Sequence, residues 1–436
     1  MSREMKHSGI EWIGEIPKGW TCLALLHLLK RRITDGPHET PSLRETGIPF
    51  ISVDSLNDSE SVDLSVVKKY ISREQYEEYQ KKAHIEKGDI LFSKAATIGK
   101  TAIVKDELFM VWSPLAILKP YSHVCYYKYL YYILNSEGLI KYVSLLGTNN
   151  TQINVGMRAL EKAIVPKPSL IEQKKIANYL DKVCGEVDEL VALQEQMIEE
   201  LKAYKQSVIT ETVTKGLNPN APMRDSGIDW IGEIPEHWDV KKIKYLSNVV
   251  RGGSPRPAGD TRYYEGDIPF MKVADITKDE NIYVNSCEYT IKEAGLPHTR
   301  TVLPGTLLLT NSGATLGVPK INTFKTTFND GIAAFLNIDK ELDVIFAYYS
   351  LKARTKHFLE SASLGIGQPN LNTDIIGNTP FLLPPLSEQQ AIASYLDTKC
   401  SEIDSLIALK QQKIEELKDY KKSVIYEYVT GKKEVV

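Results

Sequence analysis

The sequence is poor in the patterns that announce most chemistries. Its five cysteines, Cys22, Cys125, Cys184, Cys287 and Cys400, stand far apart and form no Cys-x-x-Cys pair. That excludes the usual zinc spacings and gives no disulfide framework, so idle or buried thiols are expected. No apolar run approaches the ~18–20 residues that cross a bilayer, and no membrane partner is expected. The opening MSREMKHSGIEW has no apolar segment behind its basic residues, so a cytoplasmic location is expected rather than secretion. Gly99-Lys100-Thr101 has the look of a phosphate-binding loop, but that loop needs an earlier glycine where Lys94 stands. His-Glu-x-x-His and the nucleophile elbow are absent too. An adenine methyltransferase needs Asn/Asp-Pro-Pro-aromatic; here Pro384-Pro385 is followed by Leu386, and Asn218-Pro219 by Asn220. No catalytic residue, metal or cofactor is therefore assigned.

What is there is globular. The 436 residues are 42% hydrophobic and 25% charged, enough for two or three domains with real cores. A net charge of −3 weighs against a nucleic-acid partner only if charge is evenly spread.

The chain is one unit written twice. SGIEWIGEIPKGW (8–20) returns as SGIDWIGEIPEHW (226–238), and Ile48-Pro49-Phe50 as Ile268-Pro269-Phe270. Ala96-Thr97-Ile98-Gly99 returns as Ala314-Thr315-Leu316-Gly317. EQKKIANYLDKVCGEVDEL (172–190) returns as EQQAIASYLDTKCSEIDSL (388–406). Similar ends enclose divergent middles, as one framework carrying two differently specialised heads would.

Within the first head, strands are predicted at 48–53, 89–93, 102–104, 115–119 and 163–168, and a Tyr-rich helix over 126–146. The second head repeats the order, so each is a mixed α+β domain. Pro168 and Pro385 end strands, and Ser169 and Ser387 are candidate helix caps. Apolar residues then step by four and three through Ile176, Leu180, Val183, Val187, Leu190, Gln194, Met197, Leu201, Tyr204 and Val208. This period of about 3.5 marks a helix lying along another helix. In the second copy a seam through Ile392, Leu396, Ile403, Leu406, Leu417, Tyr420 and Val424 competes with one through Cys400, Ile407 and Ile414, and the pattern does not choose. Each rod of about 40 residues is ~60 Å long. The expected architecture is α+β: two repeated recognition domains (1–168 and 225–385), long spacer helices at 169–215 and 386–431, and a linker at 216–224. The helices are expected to pack as an antiparallel coiled coil with pseudo-two-fold symmetry.

Head, Pro-Pro-Leu-x-Glu-Gln junction, long helix, then the same again: this resembles the specificity subunits of type I restriction–modification systems. LPPLSEQQAIASYLD (383–397) and KPSLIEQKKIANYLD (167–181) carry the resemblance, with RGGSPRPAGDTRYYEGDIPFMKVADI (251–276), GATLG (313–317) and GQPNLN (367–372). The first head departs from it: residues 33–54 lack the Gly-Gly-Ser/Thr-Pro opening, and TQIN (151–154) stands in place of QPNLN (368–372), with Asn154 aligned to Asn372. The resemblance implies a non-catalytic DNA reader whose heads each read half of an interrupted double-stranded target. It also implies two methyltransferase subunits, docked on the helices, that bring S-adenosylmethionine and modify adenine, and restriction/translocase subunits driven by ATP. A self-contained DNA methyltransferase or nuclease, and a structural coiled-coil adaptor, are the alternatives.

Against that frame the candidate DNA-binding residues fall on loops. Arg251, Ser254, Arg256 and Arg262 form a Gly-rich basic loop suited to guanine or phosphate, or a solvated turn. Ser93, Lys94, Thr97 and Lys100 form a basic loop facing DNA, or a surface hairpin; Asn311, Ser312 and Thr315 lie in the second copy's counterpart. Asn149, Asn150, Gln152, Gln368 and Asn370 carry amides able to bond adenine, and are also ordinary turn formers. The tyrosines of 126–132 and the tryptophans Trp12, Trp20, Trp230 and Trp238 read as scaffold. Residues 171–216 hold nine acidic residues against six lysines, so the rod should repel phosphate and suit protein partners.

Overall fold

The computed structural model describes residues 3–57, 59–105, 107–149, 153–313, 315–363 and 370–435. The chain divides into two compact units, Met1–Glu195 with Gln411–Val436, and Gln196–Lys410. Among the described residues no helix is long and apolar enough to cross a membrane.

Each unit is built on a sheet whose two faces are both buried. In the first, strands Thr34–Asp35, Leu115–Leu118, Ile90–Ser93 and Thr101–Ile103 pair antiparallel in that order. Side chains alternate across a strand. Thus Ile90, Phe92, Ala116 and Leu118 enter one core with Trp20, Tyr129 and Leu180, while Leu91, Leu115 and Ile117 enter another with Phe50, Phe109 and Met110. This double burial is why these strands read as unbroken apolar runs. The second unit repeats the plan: Leu307, Leu309, Ala333 and Phe335 face one core, and Leu308, Ile332 and Ala334 the other. Its sheet has five strands, Asn248–Arg251, Ile332–Leu336, Leu307–Thr310, Pro319–Asn322 and Tyr283–Val284.

In chain order the helices are α1 (Arg73–Ala83), α2 (Tyr127–Leu134), α3 (Glu137–Leu145), α4 (Met157–Lys162) and the long α5 (Leu170–Lys215), which passes from the first unit into the second. Those that follow are α6 (Val273–Thr277), α7 (Val344–Ala353), α8 (Thr355–Ser363), α9 (Thr373–Asn378) and the long α10 (Leu386–Val429). The single helix predicted over 126–146 is two, α2 and α3. The buried Ser136 hydroxyl turns back to the Ile133 carbonyl (2.8 Å) and ends the first. Helix α1, capped by the Ser72 hydroxyl, is so polar that the periodicity missed it. Trp20 and Trp238 are buried and Trp12 and Trp230 half-buried, in keeping with a scaffold role.

The two long helices have 46 and 44 residues, roughly 65–70 Å each. The caps differ from expectation. Ser169 accepts from the Glu172 N–H (3.3 Å), but α10 already starts at Leu386, so Ser387 lies inside its first turn. Pro385, not a serine, stands at the position of Ser169. In the first unit Ile176, Leu180 and Cys184 of α5 share a core with Val424, Ile425 and Tyr428 of α10, and Lys421 pairs with Asp188 (2.7 Å). In the second, Ile209 and Val213 of α5 share a core with Ile392, Leu396 and Cys400 of α10, and Lys205 pairs with Asp404 (2.7 Å). Within each unit the helices therefore run antiparallel. The two ion pairs are one pair of the repeat, with the helices exchanging roles.

On α10 the structure buries members of both candidate seams: Ile392, Leu396, Ile403 and Val424 of one, Cys400 and Ile414 of the other, whereas Leu406 (46%) and Tyr420 (52%) are exposed. On α5, Leu190 (46%) and Tyr204 (58%) are likewise exposed. Ile176, Leu180 and Val187 of the predicted line are buried, and so beside them are Cys184, Ile198 and Ile209, with Val191 half-buried. Two apolar stripes on each helix left the periodicity ambiguous, and the packing draws on both.

Each head is fastened to its long helix by one buried glutamine. Gln173 donates to the Val124 and Pro168 carbonyls (both 3.0 Å) and accepts from the Tyr126 N–H (2.8 Å). Gln389 donates to the Glu341 and Pro384 carbonyls and accepts from the Asp343 N–H, all at 2.8 Å. A second tie runs from the Tyr132 hydroxyl to Asp181 (2.8 Å) and from the Tyr349 hydroxyl to Asp397 (2.7 Å). Burial, helped by the carboxylate, pushes both phenols upward, so each remains a donor. Replacing Gln389 by Leu orphans three backbone groups and should cost about 2–4 kcal/mol. The urea midpoint of the second unit should fall accordingly, while the exposed Gln412→Leu should shift it by less than ~0.5 kcal/mol; equal effects would remove the glutamine from this role.

Candidate nucleic-acid interface

At one margin of each sheet several loops converge on a shared backbone frame. In the second unit the Asn311 N–H donates to the Gly331 carbonyl (2.9 Å), and the Asn311 carbonyl accepts from the Leu371 N–H (2.8 Å). In the first unit the Lys94 N–H donates to the Pro114 carbonyl (2.9 Å), and the Lys94 carbonyl accepts from the Val155 N–H (2.8 Å). Isolated bridges Ser312 to Asn370 and Ala95 to Asn154 correspond likewise. Asn154 thus matches Asn370, not Asn372. Asn372 is instead the N-cap of α9, accepting from the Ile375 N–H (2.8 Å).

The hydroxyl that ends each central strand shapes the next loop. Ser93 donates to the Thr97 carbonyl (2.5 Å) and accepts from the Lys100 N–H (2.8 Å). Thr310 donates to the Thr315 carbonyl (2.6 Å) and accepts from the Val318 N–H (2.8 Å). Two glycines complete the frame. A Cβ on Gly252 would meet the Asn329 carbonyl oxygen at 2.2 Å, and one on Gly36 the Val111 carbonyl oxygen at 2.0 Å. Gly36 therefore occupies the place of Gly252, although the neighbouring Gly-Ser-Pro is missing from the first head.

On this common frame the side chains diverge. Lys94 stands where the second unit has Asn311, Asp35 where it has Arg251, and Trp112 where it has Asn329. In the first unit the buried Lys94 ammonium lies 3.2 Å from Asp35, which His38 also approaches at 3.2 Å. The Asp35 oxygen they share is within ion-pair distance but has no aligned hydrogen bond. Trp112 packs against Phe50 (6.0 Å between centroids) under the Lys69 ammonium (4.9 Å).

In the second unit Asp330 gathers the basic loop. Arg251 donates from Nε to the Asp330 carbonyl (2.6 Å), Ser254 to its carboxylate (2.7 Å), and Arg256 lies 3.6 Å from it. Arg262 instead forks onto Asp260, at 2.6 Å for the shortest contact, and those hydrogen bonds pull the Asp260 carboxyl down to about 2. Asn311 has no partner for either polar atom of its fully buried amide, nor has the Asn329 Oδ1. Each such orphaned group costs ~1–3 kcal/mol.

The predicted residues divide accordingly. Arg251, Arg256, Arg262, Thr97, Thr315 and Asn370 are exposed; Ser254, Lys100 and Ser312 are half-buried. Ser93, Lys94 and Asn311 are buried, which corrects the expectation that they face outward. Ser93 is spent on loop shape, Lys94 on Asp35, and Asn311 is covered. Asn150, Gln152 and Gln368 lie outside the described residues, and of Asn149 only the backbone is described, paired with Ile153. Trp112, Asn329 and Asp330 were missed, since nothing local in the sequence links them to the loops. Among the described residues no cluster of His, Cys, Asp or Glu is arranged to hold a metal ion.

Two like modules, each offering variable loops on a fixed frame, define a paired-recognition protein. The profile of the type I restriction modification DNA specificity domain matches residues 38–203 and again 235–419, and the chain belongs to that family. It is 29% identical over 431 residues to the putative type I restriction enzyme MjaX specificity subunit of Methanocaldococcus jannaschii, covering 96% of this chain and 95% of that one. To the EcoBI specificity subunit of Escherichia coli it is 26% identical over 287 residues, 61% of this chain and 58% of that one. The fold matches the HsdS subunit from Thermoanaerobacter tengcongensis with a TM-score of 0.51 at 16% identity, over 95% of this chain and 98% of that one. A chain solved in a study of complex assembly and conformational transition of the type I R-M system matches with a TM-score of 0.67 at 16% identity and the same coverages.

Removing Asp35 leaves the Lys94 ammonium buried and short of its partner. Asp35→Ala should therefore destabilise the first unit by ~3–5 kcal/mol, and adding Lys94→Met should recover most of it. Denaturant unfolding of the two variants measures this, and a loss that the second change does not repair would show the pair to be incidental.

Proposed function

We propose that this chain is the non-catalytic reader of a type I restriction–modification complex, each unit taking one half of an interrupted DNA duplex. The observation that carries the reading is the single backbone frame bearing exchanged side chains, Lys94 for Asn311 and Asp35 for Arg251. Two copies selected to read the same bases would have no reason to diverge there while keeping every frame hydrogen bond. In the second unit the exposed Arg251, Arg256 and Arg262 supply the phosphate and guanine chemistry, and Ser254, Ser312, Thr315, Gln368 and Asn370 are its further contacts with DNA; in the first unit these are Thr97, Lys100, Asn149, Asn150 and Gln152. The long helices space the half-sites. Adenine methylation, and ATP-dependent translocation and cleavage, belong to partner subunits working with this chain in the cytoplasm.

The helices also suit those partners. Leu190, Leu193 and Tyr420 in the first unit, and their repeat counterparts Leu406, Leu409 and Tyr204 in the second, are large apolar side chains 46–60% exposed. They sit on rods too acidic to attract phosphate, and one methyltransferase subunit per trio gives two per chain.

Expressed with its methyltransferase partner, the chain should direct adenine methylation to a two-part motif. A well-folded complex that methylates an uninterrupted motif would reject the reading. Leu409→Asp should reduce the purified complex from two methyltransferase subunits to one without altering the melting temperature, and Leu193→Asp with Leu409→Asp should remove both. Retention of both by the double variant would move the docking surface elsewhere.

A further inference from the structure

We infer that Asn311 reads base identity, contributing the amide that recognises adenine at one position of the half-site taken by the second unit; this rests on the function proposed above. Three observations carry it. First, the backbone of Asn311 is held on both sides, its N–H by Gly331 and its carbonyl by Leu371, so its position is fixed while its side chain is uncommitted. Second, that side chain is fully buried with its donor and its acceptor both unpartnered. A leucine, with the same branching and number of side-chain heavy atoms, would occupy the position without that polar cost, so packing does not explain an amide here. Third, the equivalent side chain of the first unit, Lys94, is matched by Asp35, whereas the residue in Asp35's place, Arg251, turns to the Asp330 carbonyl. The second unit has kept the polar position and lost its internal partner.

The neighbourhood is polar in the same unspent way. The buried Asn329 Oδ1 is also unpartnered. The Ser312 hydroxyl and the Asn329 amide nitrogen lie 3.1 and 3.5 Å from where a Cβ on Gly331 would stand, so both border the same glycine. The cover beside Asn311 includes the isolated bridge between Ser312 and Asn370, a single rung rather than a ladder. Parting that rung against a duplex exposes an amide with one donor and one acceptor side by side, the pair that adenine N7 and N6 require in the major groove. The unmet polarity of the free protein is then satisfied in the complex, which makes the exposed form the favoured one only on the correct base.

The test uses the chain in complex with its methyltransferase partner and reads the methylated motif by sequencing, with Asn311→Leu and Asn311→Asp beside the unaltered chain. Asn311→Leu should melt no lower than the unaltered protein. It should lose discrimination at one position of one half-site by on the order of 10- to 100-fold, with the other half-site unchanged. Asn311→Asp, an acceptor alone, should move the preference at that position from adenine towards cytosine. An Asn311→Leu complex with the original motif at every position would overturn the inference. So would an Asn311→Asp complex that still prefers adenine, which covers the case of a Leu variant that fails to fold. If the unaltered complex yields no two-part motif, it is the functional reading that fails instead.

Discussion

One carboxamide at the start of each long helix sets the terms for everything above it. Where the last strand of a head passes into its long helix, two carbonyls and an N–H are withdrawn from water and must be paired. Gln173 and Gln389 each satisfy all three from a fully buried position. Because the bonded groups belong to the segment ahead of the head's inner helix and to the end of its last strand, the amide joins three pieces of chain. The phenol-to-carboxylate bond one head helix away repeats the connection. A head so tied cannot swivel freely on its helix, and the Glu-Gln pair recurs in both copies for that mechanical reason.

Stiffness at the base permits licence at the rim. The sheet of each unit has core on both faces, so its strands tolerate little beyond apolar side chains. The loops beyond its margin answer to a different demand. Their backbone is fixed by glycines that no other residue can replace and by main-chain bonds common to both units. Their side chains are free of that frame, and they differ: a lysine–aspartate ion pair in one unit, an arginine and an unpaired asparagine in the other. Scaffold residues change little between copies because a change breaks packing, whereas rim residues change because nothing in the fold forbids it.

Much of this was legible from the sequence, and the lapses share a cause. The duplication, the heads, the long helices and the tyrosine and tryptophan scaffold all rest on local pattern or on repetition, which a sequence displays directly. The helix seam was ambiguous because both stripes are apolar and both are used: Leu406 and Tyr420 are exposed while Ile403 and Val424 of the same stripe are buried. Lys94 looked like a surface cation because its partner, Asp35, lies in a distant stretch with no signal of its own. The Asn154–Asn372 match was two residues out, since amide-rich loops align easily by composition and only the hydrogen bonds of Lys94 and Asn311 fix their register.

The central claim is that each unit reads its own stretch of duplex independently of the other. Replacing residues 1–168 with the corresponding head of another family member, and sequencing the adenines methylated by the resulting complex, tests it most directly. The motif should have one half new and the other unchanged; a motif altered in both halves is incompatible with independent reading.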